Sequence, residues 1–262
     1  MAILLMVGMA GIQPTMPVKA ANVLRISQVY GSGGTGDYKY DFVEIFNAGT
    51  SPVSLNGLSI QYASATGTGN FGSSQTMRTE LPDVVLGAGN YYLIQEAVGS
   101  SGSELPTPDH VDLTPIDAGA KSGKFALVNG TLSLGCNGGS NPCSEEKMAL
   151  IIDLVGYGTA NFYEGDAAAP AASSTTAVIR KEGGCTDTDN NGNDFEAQSP
   201  IPRNTDTPVH SCTPVGPLSP VINEFSANTT GTADVEYVEF FGSPNTDYSA
   251  YTLLGIEGDA NA

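Results

Sequence analysis

The stretch YDFVEIFNAGTSPVSLNGLSIQY, residues 40–62, decides the fold. Its first half is dense in β-branched and aromatic residues, and Asn, Gly, Ser and Pro follow in a cluster that breaks it. Asn56-Gly57 then leads into GLSIQY (57–62), where Leu58, Ile60 and Tyr62 fall on one face of a strand. Two such runs with turn residues between them predict paired strands, not a helix.

The same pattern recurs along the chain. VLRISQVY (23–30) places Leu24, Ile26 and Tyr30 on one face. NYYLIQE (90–96), KFALVNGTLSL (124–134), MALIIDLVGYG (148–158) and TTAVIRK (175–181) continue the series. Asn129-Gly130 between FALV and TLSL predicts a tight hairpin, because a type I′ turn needs positive φ at both central residues. Short strands without helical periodicity predict an all-β chain and an antiparallel sandwich.

Composition agrees: 32 Gly and 16 Pro among 262 residues, with only 15% charged. The charge is lopsided, 28 Asp plus Glu against 10 Lys plus Arg, for a formal net charge of −18. Such a field repels a phosphate backbone unless cations bridge it, so direct nucleic-acid binding is disfavoured. ILLMVGMAGI (3–12) is too short to span a bilayer and is followed by the small residues of VKA (18–20). This reads as an export signal over residues 1–20, cleaved after Ala20, although no Lys or Arg precedes the apolar run. A secreted or cell-surface protein without a membrane span is expected.

Four cysteines fit that compartment. Cys136 and Cys143 close a short Gly/Asn/Pro loop, and Cys185 pairs with Cys212 across a longer acidic one. Four cysteines permit three pairings, of which this is the one expected. Zinc is the rival, but no CxxC occurs, and His110 and His210 stand alone.

Residues 213–220, TPVGPLSP, form a Pro-rich linker between a domain over 21–212 and a second segment, 221–262. VINEFSANTTGTADVEYVEFF (221–241) repeats RISQVYGSGGTGDYKYDFVEIF (25–46), with Glu239 at the place of Glu44, Tyr237 of Phe42 and Phe241 of Phe46. The second copy supplies only a few strands, too few to bury a core alone.

His110 (PTPDHVDLTP) and His210 (TPVHSC) sit in loop-like sequence with no GxSxG nearby. Glu145 with Glu146, or Asp37 with Asp41, could be imagined as acid pairs, yet surface acids are common in this composition. GSGGTG (31–36) lacks the GK[ST] of a phosphate loop and reads as a strand connection. No catalytic residue and no required cofactor is expected. Asn129-Gly-Thr and Asn228-Thr-Thr match the N-glycosylation pattern.

GCTDTDNNGNDFE (184–196) is the one stretch with the look of a metal loop. Asp187, Asp189 and Asn191 alternate before Gly192, as in a calcium loop, and Asp194 is a further carboxylate. The residue that should close the loop bidentately is Gln198, which cannot. Asp and Asn also build Asx-turns. Two expectations therefore stand together: a rigid acidic turn, and a calcium site on Asp187, Asp189, Asn191 and Asp194.

Residues 40–62 and IIDLVGYGTANFYEGDAAAPAASSTTAVIRKEGGCTDTDNNGNDFEAQSPIPRN (151–204) together resemble the lamin tail domain, in its bacterial exported form. The resemblance runs from residue 23 to about 207 and rests on Val43-Glu44, Asn47, Leu55-Asn56-Gly57, Asp153, Gly156-Tyr157-Gly158, Arg180, Asp187, Asp194-Phe195 and Pro202-Arg203-Asn204. It implies an immunoglobulin-like β-sandwich, with Phe195 anchored in the core and Asp194 on backbone N–H groups. Residues 221–255 resemble the opening of a second such domain. The resemblance further implies an accessory module of a large secreted protein. Its partners would be its own downstream domains, or a protein or glycan at the cell surface. The alternative it implies is the accessory region of a secreted metal-dependent nuclease or phosphohydrolase.

Overall fold

A computed structural model describes residues 23–212, 220–226, 237–242, 247–249 and 251–253. The expected signal segment and its cleavage point after Ala20 lie outside the described residues, as does nearly all of the Pro-rich linker. The chain divides into two compact units, 1–212 and 213–262.

The first unit is built from twelve strands: β1 (Leu24–Tyr30), β2 (Tyr40–Asn47), β3 (Val53–Ser54), β4 (Leu58–Ala63), β5 (Arg78–Glu80), β6 (Val85–Leu86), β7 (Tyr91–Val98), β8 (His110–Val111), β9 (Gly123–Asn129), β10 (Ile151–Tyr157), β11 (Ala177–Arg180) and β12 (Phe195–Gln198). Two single helical turns, α1 (Glu145–Met148) and α2 (Asn191–Asp194), interrupt them. One sheet has the order β12-β11-β1-β2-β7-β8 and the other β10-β9-β4-β5, with β3–β6 a small separate pair. All pairings are antiparallel except β7 with β8.

The two sheets pack face to face. Leu24, Ile26, Val43, Ile45 and Ile94 from the first meet Leu58, Ile60, Phe125, Leu127 and Val155 from the second in one buried cluster. Each such side chain contributes about 1.5–3 kcal/mol on burial, so this shared layer is the main source of stability. Unusually for antiparallel sheets, the outer faces are covered too. Residues 131–143 fold back over β4 and β9, where Leu134 and Cys136 join Phe71 in a second cluster, and Tyr30, Phe42 and Leu93 form a third on the other sheet.

Two expectations are corrected here. Tyr30 does not share the face of Leu24 and Ile26, because the register of β1 against β2 shifts between Ile26 and Gln28. An extra residue in a bulge reverses the facing of everything beyond it. Val29 therefore enters the inter-sheet core and Tyr30 the outer cluster. Second, Asn129-Gly130 does not turn β9 into a hairpin with TLSL. Both edges of β9 are occupied, by β4 and β10. Gln61 instead clasps the segment from below, its amide donating to Leu132 O (2.9 Å) and accepting from Leu134 N (3.0 Å).

The cysteines form Cys136–Cys143 and Cys185–Cys212. Gly31–Gly36 is the connection between β1 and β2, with Gly34 at φ 78°. Glu145 and Glu146 lie in the first turn of α1, capped by Ser144, where acids favour the helix N-terminus.

The second unit contains β13 (Val221–Ser226) and β14 (Tyr237–Phe241), paired antiparallel. Its register also shifts, between Ile222 and Glu224, the place matching the bulge of β1.

Candidate functional site

Three polar constellations stand out in the first unit, and two of them are locks. The first gathers residues scattered through the sequence around Arg180, whose side chain is wholly buried at the end of β11. Its Nη2 donates to both oxygens of Asp153 (2.7 and 2.8 Å), its Nε to Ile26 O (3.1 Å) and its Nη1 to Thr186 O (3.1 Å). The guanidinium also lies 4.4 Å from the ring centre of Phe195. Asp187 bridges Arg180 (3.3 Å) and Arg25 (3.0 Å). One guanidinium nitrogen thus reaches both oxygens of the buried carboxylate, and such charge-assisted hydrogen bonds are among the stronger polar contacts available to a protein. Burial pushes the Asp153 carboxyl up and Arg180 draws it back down, while Asp153 and Asp187 hold the proton on the guanidinium against its own burial.

This geometry fixes the fate of the Asp-rich loop. Asp194 accepts from Thr188 N and Oγ1 and from Asn190 N, reaching back to close the loop on itself. Phe195 is buried in the inter-sheet core, the anchoring that the resemblance implies. Asn191 is tied to β10 and to Glu164: its Oδ1 accepts from Gly156 N (2.8 Å) and its Nδ2 donates to Leu154 O (2.8 Å) and to Glu164 (3.1 Å). Asp189 is exposed at φ 53°. Asp187, Asp189, Asn191 and Asp194 are thus not brought together around one point, because three of them are engaged by protein donors and acceptors. The acids that do converge are Asp153, Glu164 and Asp187, with oxygens within 4.8 Å of one another. Arg180 supplies the positive charge they share. Burial and the nearby Asp153 raise Glu164 to about 8.

The second lock lies across the outer face of β1 and β2. Glu44 is fully buried and accepts from Arg203 Nη2 (2.6 Å), Nε (3.1 Å) and backbone N (2.7 Å), and from Ser27 Oγ (2.6 Å). Gln28 holds both the N (2.8 Å) and the O (2.8 Å) of Ile201. The 201–203 segment is therefore strapped to the sheet through its backbone and one arginine. Arg203 stacks on Tyr91 at 3.9 Å, and Tyr91 on Phe46. Burial raises the Glu44 carboxyl, with Arg203 opposing.

The third constellation is open. β5 and β8 each form one edge of a sheet, and between them runs a groove of about 360 Å³ whose lining includes Gln75, Arg78, Glu80, His110, Asp112 and Thr114. Arg78 gives Nη1 to Gly72 O (3.2 Å), and Asp112 Oδ1 accepts from Thr114 N (3.0 Å). Arg78 Nε and Asp112 Oδ2 are each buried without a hydrogen-bond partner. Arg25 Nε shares that description but lies against Asp187. Burial pulls His110 below its ordinary value, with Asp112 opposing. An unsatisfied buried polar atom costs about 1–3 kcal/mol, so two in one groove call for an explanation. In the sequence His110 stands alone in a loop-like stretch, and Arg78 and Asp112 stand in no motif that would mark them.

Two further buried acids are satisfied locally. Asp41 is raised to about 6 by burial, with its oxygens on Gly33 N (2.7 Å) and Ala118 N (2.9 Å). Glu96, raised to about 8 by burial, accepts from Thr79 Oγ1 (2.6 Å) and Ile116 N (2.8 Å). His210 contacts Glu182 O (3.0 Å) beside Phe46.

The family model described as Lamin Tail Domain matches residues 17–157, more than half of the chain. The chain belongs to the lamin tail domain family. In this lamin tail domain the model-matched segment supplies Glu44 and Asp153, while their arginines come from residues 180 and 203, beyond the match. A crystal structure of a DUF4876 family protein from Bacteroides thetaiotaomicron is similar at 14% identity, covering 72% of this chain and 74% of that one, with a TM-score of 0.45. That distance carries no functional argument. No curated protein matches the chain.

Proposed function

We propose that this lamin tail domain is a non-catalytic interaction module of an exported, multidomain protein, and that it grips an extended segment of a protein partner in the groove between β5 and β8. The observation carrying this reading is the groove itself, whose lining holds the cationic Arg78 and the anionic Asp112 together with His110 and Thr114, so an extended peptide meets both donors and acceptors there. The flanking edge strands add free ladder positions, and edge addition is a recurring way to bind an extended chain. The other strongly buried acids of the first unit already have protein partners, leaving little to act as a general acid or base. Two disulfides are in keeping with an extracellular setting. Among the described residues no helix is long and apolar enough to cross a membrane.

The test is selection of a random peptide display library on the immobilised chain, beside a glycan array and reporter esters, glycosides and phosphodiesters. Peptides should be enriched by the native chain, and lose binding to Arg78→Ala and Asp112→Ala. Enrichment indifferent to both substitutions, binding to glycans alone, or turnover of a reporter would each overturn the reading.

A further inference from the structure

The second unit repeats not only the sequence of β1–β2 but its polar clamp, and among the described residues nothing buries its Glu239. In the first unit Gln28 stands opposite Glu44, and Ser27 in the bulge donates to Glu44 Oε1 (2.6 Å). In the second unit Glu224 stands opposite Glu239, and Asn223 in the matching bulge donates to Glu239 Oε1 (2.6 Å). Tyr237, at the place of Phe42, donates to Glu224 (2.7 Å). What differs is the cover. Glu44 is fully buried under Arg203, whereas Tyr237, Glu239 and Phe241 are all exposed.

Two charges argue for what the cover must be. Glu224 and Glu239 face each other directly across the ladder, a like-charge pairing that destabilises a hairpin unless a cation lies between them. The stretch 213–262 contains no Lys or Arg to supply it, but has Asp234, Glu236, Asp247, Glu257 and Asp259 besides. A second copy of this unit would set further carboxylates against Glu224 and Glu239, which disfavours self-pairing as the way the face is covered.

We infer that the outer face of β13–β14 is a docking surface for an extended polypeptide segment that carries an arginine. The guanidinium forks onto Glu239 and the segment's backbone N–H groups reach Glu239 and Glu224, as Arg203 and Ile201 do on Glu44 and Gln28. Glu224 differs from Gln28 in having no donor, so it selects for N–H groups and positive charge. This surface is independent of the groove between β5 and β8, and its test does not depend on that reading.

The probe is a fluorescein-labelled peptide with the sequence FEAQSPIPRNTDT (residues 195–207), added at low ionic strength to the whole 262-residue chain and followed by anisotropy. Saturable binding is expected. It should weaken at least about ten-fold with Glu239→Gln in the chain or with Arg203→Gln in the peptide. Glu224→Gln, which recreates the Gln–Glu pair of the first unit, should retain or tighten it. Absence of saturable binding, or binding indifferent to Glu239→Gln and to the loss of the peptide's arginine, would overturn the inference. So would concentration-dependent dimerisation by light scattering that Glu239→Gln abolishes, which would make a second copy the occupant.

Discussion

Replacing Arg180 with Met keeps the length of the side chain and removes its charge and five donors. Asp153 would then be left buried with Ile26 N as its remaining close donor (2.6 Å). The Ile26 and Thr186 carbonyls would lose their partner, and Asp187 would keep only Arg25. Breaking a buried pair by removing one member costs about 3–5 kcal/mol, since the remaining charge stays without compensation. For a domain of this size that is a fall in Tm of about 6–20 °C. The deficit should depend on pH in a definite direction. Without Arg180, the folded Asp153 carboxyl is raised further above its unfolded value. Its penalty then grows as pH rises from the unfolded pKa towards neutrality, and shrinks near pH 4. Urea unfolding followed by far-UV circular dichroism at both pH values measures this. Adding Asp153→Asn removes the stranded charge while keeping an acceptor for Ile26 N, so the double variant should recover part of the loss at neutral pH. A deficit below about 1 kcal/mol, or a double variant that costs the sum of the singles, would refute the idea that Arg180 and Asp153 act as one unit.

Arg203→Lys keeps the charge at the second lock but gives up the fork on Glu44 and the flat contact with Tyr91. A loss of about 1.5–3 kcal/mol is expected in the same unfolding assay. Glu96 has its folded pKa raised to about 8 by burial. For such a group the unfolded chain gives up its proton first, so its contribution to stability is lost as pH climbs from about 4.5 towards 8, with a limiting slope of about 1.4 kcal/mol per pH unit. Glu96→Gln should flatten the stability profile in that window, and an unchanged slope would assign it to other groups.

Much of the architecture is legible in the sequence, because period-two alternation and turn residues report directly on strands half-buried against a partner. The exceptions have physical causes. The bulge in β1 carries no marker such as Gly, so the facing of Tyr30 cannot be counted from Leu24. Asn129-Gly130 has the chemistry of a hairpin, but strand pairing is decided by which edges are free, and β9 has none. The locks were half visible. Glu44, Asp153, Arg180 and Arg203 all carry the resemblance to the lamin tail domain, yet the pairing of each acid with its arginine spans many residues and only the fold brings them together. Glu164 and Arg25 gave no signal. The groove was invisible because Arg78, His110 and Asp112 come from two sheet edges and form no motif. Conversely, the repeat of residues 25–46 in 221–241 was plain, and the structure adds that its clamp is copied down to the bulge.

The central claim is that the acidic loop after Cys185 is built around Arg180, leaving binding to surfaces elsewhere. Melting the chain in 10 mM calcium and again in chelator tests it most directly. A site with a Kd of about 0.1 mM, ordinary for extracellular calcium modules, would add about 2.7 kcal/mol at that concentration, or roughly 5–11 °C in Tm. The account predicts the same Tm in both conditions, and a large loss on Arg180→Met in either. A calcium-dependent rise of that size, abolished by Asp187→Ala, would contradict it.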